Sequence, residues 1–187
     1  PQSVAALLVA LEDEHWSVRC AAAAALGRLR NPKAVPVLLA RLDDADATVR
    51  RAAIAALGEI ADPRAGARLL AALGDPALQA TAVEALRGLG TAALPEMERS
   101  LASGDAEPDL RRLLVDLAGR FEDPAALRLL LAALRDPNAA VRVEAAQALG
   151  EGGFREALRP LLDLKSSDPA PEVRQAAAGA LRRLQPR

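Results

Sequence analysis

Residues 12–20 read EDEHWSVRC and hold the only histidine, tryptophan and cysteine in the chain. Glu12, Asp13 and Glu14 stand beside His15, Trp16 and Cys20. An imidazole, a thiol and three carboxylates at this spacing suggest two chemistries: a metal site, or a Cys–His nucleophile. Zinc sites use three or four protein ligands, and the sequence has no second His or Cys to complete one. Nucleophilic catalysis needs thiol and imidazole within hydrogen-bond reach, plus donors for the oxyanion. His15 and Cys20 lie five residues apart across a helix start, and no oxyanion element is evident. The expectation is therefore no catalytic residue, no metal and no cofactor, with the chain read as a non-enzyme. Cys20 then reads as a small, semi-buried side chain.

The elements that position this cluster repeat along the chain. Val18-Arg19, Val49-Arg50, Leu78-Gln79, Leu110-Arg111, Val141-Arg142 and Val173-Arg174 follow one another at steps of 31, 29, 32, 31 and 32 residues. Eight residues after each first member comes Leu26, Leu57, Leu86, Ala118, Leu149 or Leu181, and glycine follows four of them. Six units fill the chain, at about 3–33, 34–64, 65–94, 95–125, 126–157 and 158–187, read as one domain. In the second unit, Val35, Leu38, Leu39 and Leu42 keep the spacing of a helix with one apolar face. The polar turn DDADA follows, and then Val49, Ala53, Ala56, Leu57 and Ile60 mark a second helix. Asn31-Pro32, Asp62-Pro63 and Asp123-Pro124 supply a capping side chain and a proline suited to a first helical turn. Hairpins of this kind cannot bury their apolar faces alone and must stack.

Composition agrees. Apolar residues make up 51%, aromatics only 2%, and tyrosine is absent, so the core must be Leu, Val, Ile and Ala in helices. The net charge of −1 gives no general pull towards nucleic acid or acidic membranes. No apolar run approaches the roughly 18 residues of a membrane span, and no signal segment opens the chain. A single cysteine fits a reducing compartment, so a cytoplasmic setting is expected. The first residue is Pro1 rather than Met, which raises the reading that the chain is a piece of a longer protein.

The stretch AVPVLLARLDDADATVRRAAIAALGEIADPR (34–64) resembles the bacterial HEAT-like repeats first named for phycobilisome lyases. The resemblance covers all six units. It implies an all-α fold: an α-solenoid, wound as a right-handed superhelix, of about six HEAT-like helix–turn–helix repeats. It also implies a ladder, in which an Asp in each turn and an Arg opening each second helix pair between neighbouring units. Here the ladder residues are Asp13 and Arg19, Asp44 and Arg50, Asp105 and Arg111, Asp136 and Arg142, and Asp168 and Arg174. Unit 3 departs from the pattern, with Asp75, Gln79 and a turn two residues shorter, while units 4 and 6 have longer turns. An irregular superhelix is expected around residues 74–110.

Within the opening cluster, Val18, Ala22, Ala25 and Leu26 are expected to face the core. In HEAT-like families the other side of the second helix lines a concave groove. That implies a ridge of Trp16, Ser17, Cys20, Ala21, Ala24 and Arg28, then Thr48, Arg51 and Glu59, then Thr81 and Glu84. It continues with Arg112, Asp116 and Arg120, then Glu144, Gln147 and Glu151, then Glu172, Gln175 and Arg183. Two readings of Trp16 stand: an exposed interface anchor, or a structural side chain that covers the open end of the first repeat or packs on a repeat upstream of it. Arg112 and Arg120 lie two helical turns apart and could grip a carboxylate or phosphate, or be neutralised by Asp116 between them. Some relatives by fold are enzymes. Deoxyhypusine hydroxylases bind iron through repeated His-Glu pairs, whereas this chain has Glu14-His15 once, in reverse. HEAT-like DNA glycosylases use a basic, aromatic groove, which this sequence lacks. Bilin lyases share the repeat, but nothing marks a tetrapyrrole pocket. The expected function is a non-catalytic scaffold that binds a protein or peptide partner, with no nucleic acid, membrane or metal involved. The alternatives are a regulatory module of a larger protein and a bilin-lyase-type enzyme.

Overall fold

A computed structural model describes residues 2–185. Among them are six helical hairpins and no strand. They pair α1 (Gln2–Ala10) with α2 (Trp16–Arg28), α3 (Val35–Ala40) with α4 (Ala47–Ile60), and α5 (Gly66–Ala72) with α6 (Gln79–Leu89). Then come α7 (Leu94–Ala102) with α8 (Pro108–Ala118), α9 (Pro124–Ala133) with α10 (Ala139–Glu151), and α11 (Leu158–Ser167) with α12 (Pro171–Leu184). The chain divides into two compact units, Pro1–Glu96 and Met97–Arg187. Each is a stretch of α-solenoid. In the first, α2 packs on α4 and α4 on α6; in the second, α8 packs on α10 and α10 on α12. Within each unit the second helices therefore pack on one another in sequence.

Local chemistry fixes the helix starts. The carboxylates of Asp62 and Asp123 and the amide oxygen of Asn31 accept from the backbone N–H two residues on, at 2.7–3.0 Å. Asp46 and Asn138 do the same for Thr48 and Ala140, opening α4 and α10. Each bond satisfies one of the amides that a helix start leaves unpaired. Asn31 and Asp62 open a short 3₁₀ turn that runs on into α3 and α5, while Asp123 starts α9 directly.

The leucine eight residues after each Val-Arg pair is fully buried at Leu26, Leu57, Leu86 and Leu149. The glycine after it has a steric cause. A Cβ on Gly58 would lie 2.5 Å from Ala85 Cα, and one on Gly150 would lie 2.6 Å from Ala180 Cα. Only a residue without Cβ lets the next second helix come this close. Four residues past the leucine the backbone turns left-handed, at Arg30, Ala61, Gly90 and Gly153, which ends the second helix.

One core expectation needs correction. Val18 is 38% exposed, although its counterparts Val49, Val141 and Val173 are wholly buried. The helices that carry those valines each pack on the second helix of the preceding hairpin, and no hairpin precedes α1 among the described residues. Ala25 is half-buried.

Three ladder rungs form. Arg19 donates Nε and Nη2 to the two oxygens of Asp44 at 2.8 and 2.7 Å. Arg111 grips Asp136 and Arg142 grips Asp168 in the same way. Each arginine also donates Nη1 to a carbonyl of its own turn. Each of the three aspartates further accepts from the amide two residues on. The rung side chains are well covered, with Asp168 at 4% and Arg142 at 12% exposure. The Arg19 and Arg142 guanidiniums hold the carboxyls of Asp44 and Asp168 below the usual range.

The third hairpin interrupts the ladder. The residue six before Gln79 is the buried Leu73, not an aspartate. Gln79 Nε2 donates to the Leu73 carbonyl at 3.3 Å, taking the place of the usual arginine Nη1. Arg50 consequently has no carboxylate on its fork among the described residues. Asp13, Asp105 and Arg174 likewise enter no Asp–Arg rung among the described residues.

Candidate functional site

The opening cluster lies at the turn before α2 and along the first turn of that helix. His15 is exposed and turns back on its own turn, with Nδ1 3.2 Å from Asp13 Oδ1 and 3.7 Å from Glu14 Oε1. The backbone amide of His15 donates to Asp13 and lowers that carboxyl's pKa. Cys20 lies one turn into α2 and is half-buried. Burial pushes its thiol pKa up, which disfavours the nucleophilic thiolate. Among the described residues no three His, Cys, Asp or Glu side chains gather as a metal-ligand group. Trp16, the first residue of α2, is 52% exposed.

The remaining ridge residues fall where helical spacing puts them. In α2, residues 17, 20, 24 and 28 share one stripe, and in α12 residues 172, 175, 179 and 183 do so. The structure brings some of them together in open clefts, one in each unit. In the first unit, Glu59 of α4 and Thr81 and Glu84 of α6 line a cleft of about 400 Å³ with Arg30 and Gly88. In the second, Gln147 of α10 and Glu172, Gln175 and Arg183 of α12 line one of about 770 Å³. Val143, Ala176 and Gly179 contribute its apolar surface, and Arg182 flanks Arg183. Trp16, Ser17, Cys20, Arg28, Thr48 and Arg51 line neither cleft.

Between α8, α10 and α12 the charges of the second unit interlock. Arg120 binds Asp116 one turn away at 3.0 Å. Arg112 lies 3.7 Å from Asp109 and 3.6 Å from Glu144. Arg183 reaches Glu151 at 3.1 Å. The Arg112–Arg120 pair is therefore occupied by the chain's own carboxylates. Glu144 has its carboxyl pKa raised, first by burial and then by the Asp116 charge, with Arg112 opposing.

One surface escaped the sequence reading. Arg128, Leu131 and Arg135 of the first helix α9 and its end face Pro160, Asp163 and Leu164 of α11 across a cleft of about 550 Å³. Leu131 and Leu164 sit in an ordinary helical stripe, so no sequence signal separates them from core residues. No described helix is long and apolar enough to cross a membrane.

Comparisons place the fold. No curated protein matches the sequence. The Drosophila melanogaster Mini spindles TOG3 structure superposes with TM-score 0.69 at 17% identity, covering 94% of this chain and 92% of that one. An engineered protein superposes with TM-score 0.55 at 18% identity, covering 97% and 96%. The CpcE–CpcF phycocyanin lyase complex from Nostoc gives TM-score 0.48 at 24% identity, covering 98% and 83%. The family model for HEAT repeats matches residues 4–87, 35–107 and 95–182, and the chain belongs to the HEAT-repeat family.

Proposed function

We propose that the chain is a non-catalytic interaction scaffold that docks a protein or peptide partner along its second-helix ridge. One observation carries this reading. Residues from successive second helices converge on open, mixed-charge clefts, as Gln147, Glu172, Gln175 and Arg183 do in the second unit. The side-chain amides of Gln147 and Gln175 make no hydrogen bond among the described residues, so each offers a donor and an acceptor to a partner. The helices beneath are fixed by buried leucine and close Gly–Ala contacts, so the surface is preorganised and little is lost on ordering it. Trp16, exposed at the start of α2, is an anchor on the same reading. The lone half-buried cysteine suits a reducing, cytoplasmic setting.

The test is selection of peptides from a random displayed library on the intact chain. Selected peptides are then measured against a ridge variant (Gln147, Gln175 and Arg183 to Ala) and an outer-face variant (Arg128 and Arg135 to Ala). Binding lost only in the ridge variant supports the scaffold reading. Equal binding to both variants, or loss only in the outer-face variant, refutes it.

A further inference from the structure

The ladder shows three times what its arginines are shaped to hold. In Arg19, Arg111 and Arg142, Nη1 is tied to a carbonyl of the arginine's own turn. Nε and Nη2 then present a parallel fork that takes both oxygens of one carboxylate at 2.7–3.0 Å. Arg50 has the same tether. Its Nη1 donates to the Asp44 carbonyl at 2.9 Å and the Ala45 carbonyl at 3.2 Å. The shortened turn of the third hairpin brings no aspartate to the fork, so Nε and Nη2 of Arg50 pair with nothing among the described residues. Neither atom is fully buried, because among the described residues Arg41 Nε is the one buried side-chain nitrogen or oxygen without a partner. Arg174 repeats the arrangement, with Nη1 on the Asp168 and Pro169 carbonyls and its fork unpaired among the described residues.

We propose that Arg50 is a carboxylate-binding site that receives an aspartate or glutamate side chain from a protein partner, which supplies the rung that the third hairpin omits. The physical case is preorganisation. A free surface arginine loses rotamer freedom when it binds, whereas the guanidinium of Arg50 is already oriented by two hydrogen bonds. Bidentate geometry then adds directionality that an ammonium could not supply. The site rests on the ladder geometry and not on the second-helix clefts, so it stands or falls independently of the proposed function.

The experiment is an acetate titration of the whole chain, followed by NMR of the arginine Nε–Hε groups, with chloride matching the ionic strength. Arg50 is expected to respond saturably, at roughly two- to ten-fold lower acetate than the exposed Arg28 and Arg51. Arg19 and Arg142, whose forks are filled, should not respond. Asp44→Ala should open the Arg19 fork and give it the Arg50 type of response, with circular dichroism confirming the helical fold. Inorganic phosphate is the competing anion. An Arg50 response no stronger than that of Arg28 and Arg51, a mute Arg19 in folded Asp44→Ala, or a preference for phosphate over acetate would each overturn the proposal.

Discussion

Asp168→Ala tests whether the ladder holds the hairpins together or merely decorates their edge. The carboxylate accepts Nε and Nη2 of Arg142 at 2.8 and 3.0 Å, and the Ala170 amide at 2.9 Å. Both side chains are mostly covered, at 4% and 12% exposure. Losing charge-assisted bonds costs about 1.5–3 kcal/mol, and losing the turn bond about 1 kcal/mol more. The rung lies near solvent, where water can replace part of what is lost, so the expected cost falls below that sum, at about 2 kcal/mol. Arg142→Ala removes the same rung and, in addition, the Nη1 donation to the Asp136 and Pro137 carbonyls. The double mutant should therefore cost less than the sum of the singles, with a coupling of about 1–2 kcal/mol. Urea titration followed by circular dichroism reads all four proteins, and an unchanged m-value keeps the comparison two-state. The pH dependence has a definite sign. The folded-state pKa of Asp168 is depressed, so its stabilisation is full above the ordinary aspartate value and is lost as pH falls through the folded value. The wild type should thus hold its stability from neutral pH down to about pH 5 and lose it below about pH 4, while Asp168→Asn loses less in that window. Additive single mutants, or a cost below about 0.5 kcal/mol for Asp168→Ala, would refute the structural role of the rung.

Further outcomes follow from individual positions. Gly150→Ala gains about 1 kcal/mol of helix propensity but drives a Cβ to 2.6 Å from Ala180 Cα, so overpacking wins and urea unfolding should show a net loss of about 1 kcal/mol. Gly179→Ala meets only the end of Arg182 at 3.8 Å and should stabilise by about 1 kcal/mol in the same assay. Ala61 sits at φ 57, so Ala61→Gly should raise stability by about 0.5–1 kcal/mol, read as the urea midpoint. Carboxyl NMR should find Glu144 titrating above the usual glutamate value, and Asp116→Asn should lower that midpoint. Trp16 fluorescence should be quenched readily by acrylamide in the native protein and change little on unfolding, because the ring is 52% exposed.

The repeat period, the hairpins and the HEAT-repeat family were legible in the sequence, because each depends on spacing along one helix. A 3.6-residue period fixes which side chains share a face, and Asn31, Asp62 and Asp123 cap their helices through bonds two residues long. The aspartate–arginine ladder was legible as a pattern, but not which rungs close. That depends on whether the next turn brings its carboxylate to the fork, and the third hairpin puts buried Leu73 there instead. The exposure of Val18 was likewise hidden, because the same residue type is buried at 49, 141 and 173 and only the neighbouring hairpin makes the difference. For the ridge, the sequence determined which residues share a helical stripe. Spacing along α8 already allowed Asp116 to engage Arg120 and Asp109 to approach Arg112. Tertiary packing alone decided that Glu144 of α10 also reaches Arg112, and that Gln147 and Gln175 share a cleft. The division is physical: helix-forming tendency and facing are local properties, whereas burial, ion pairing and clefts are set by the distance between helices.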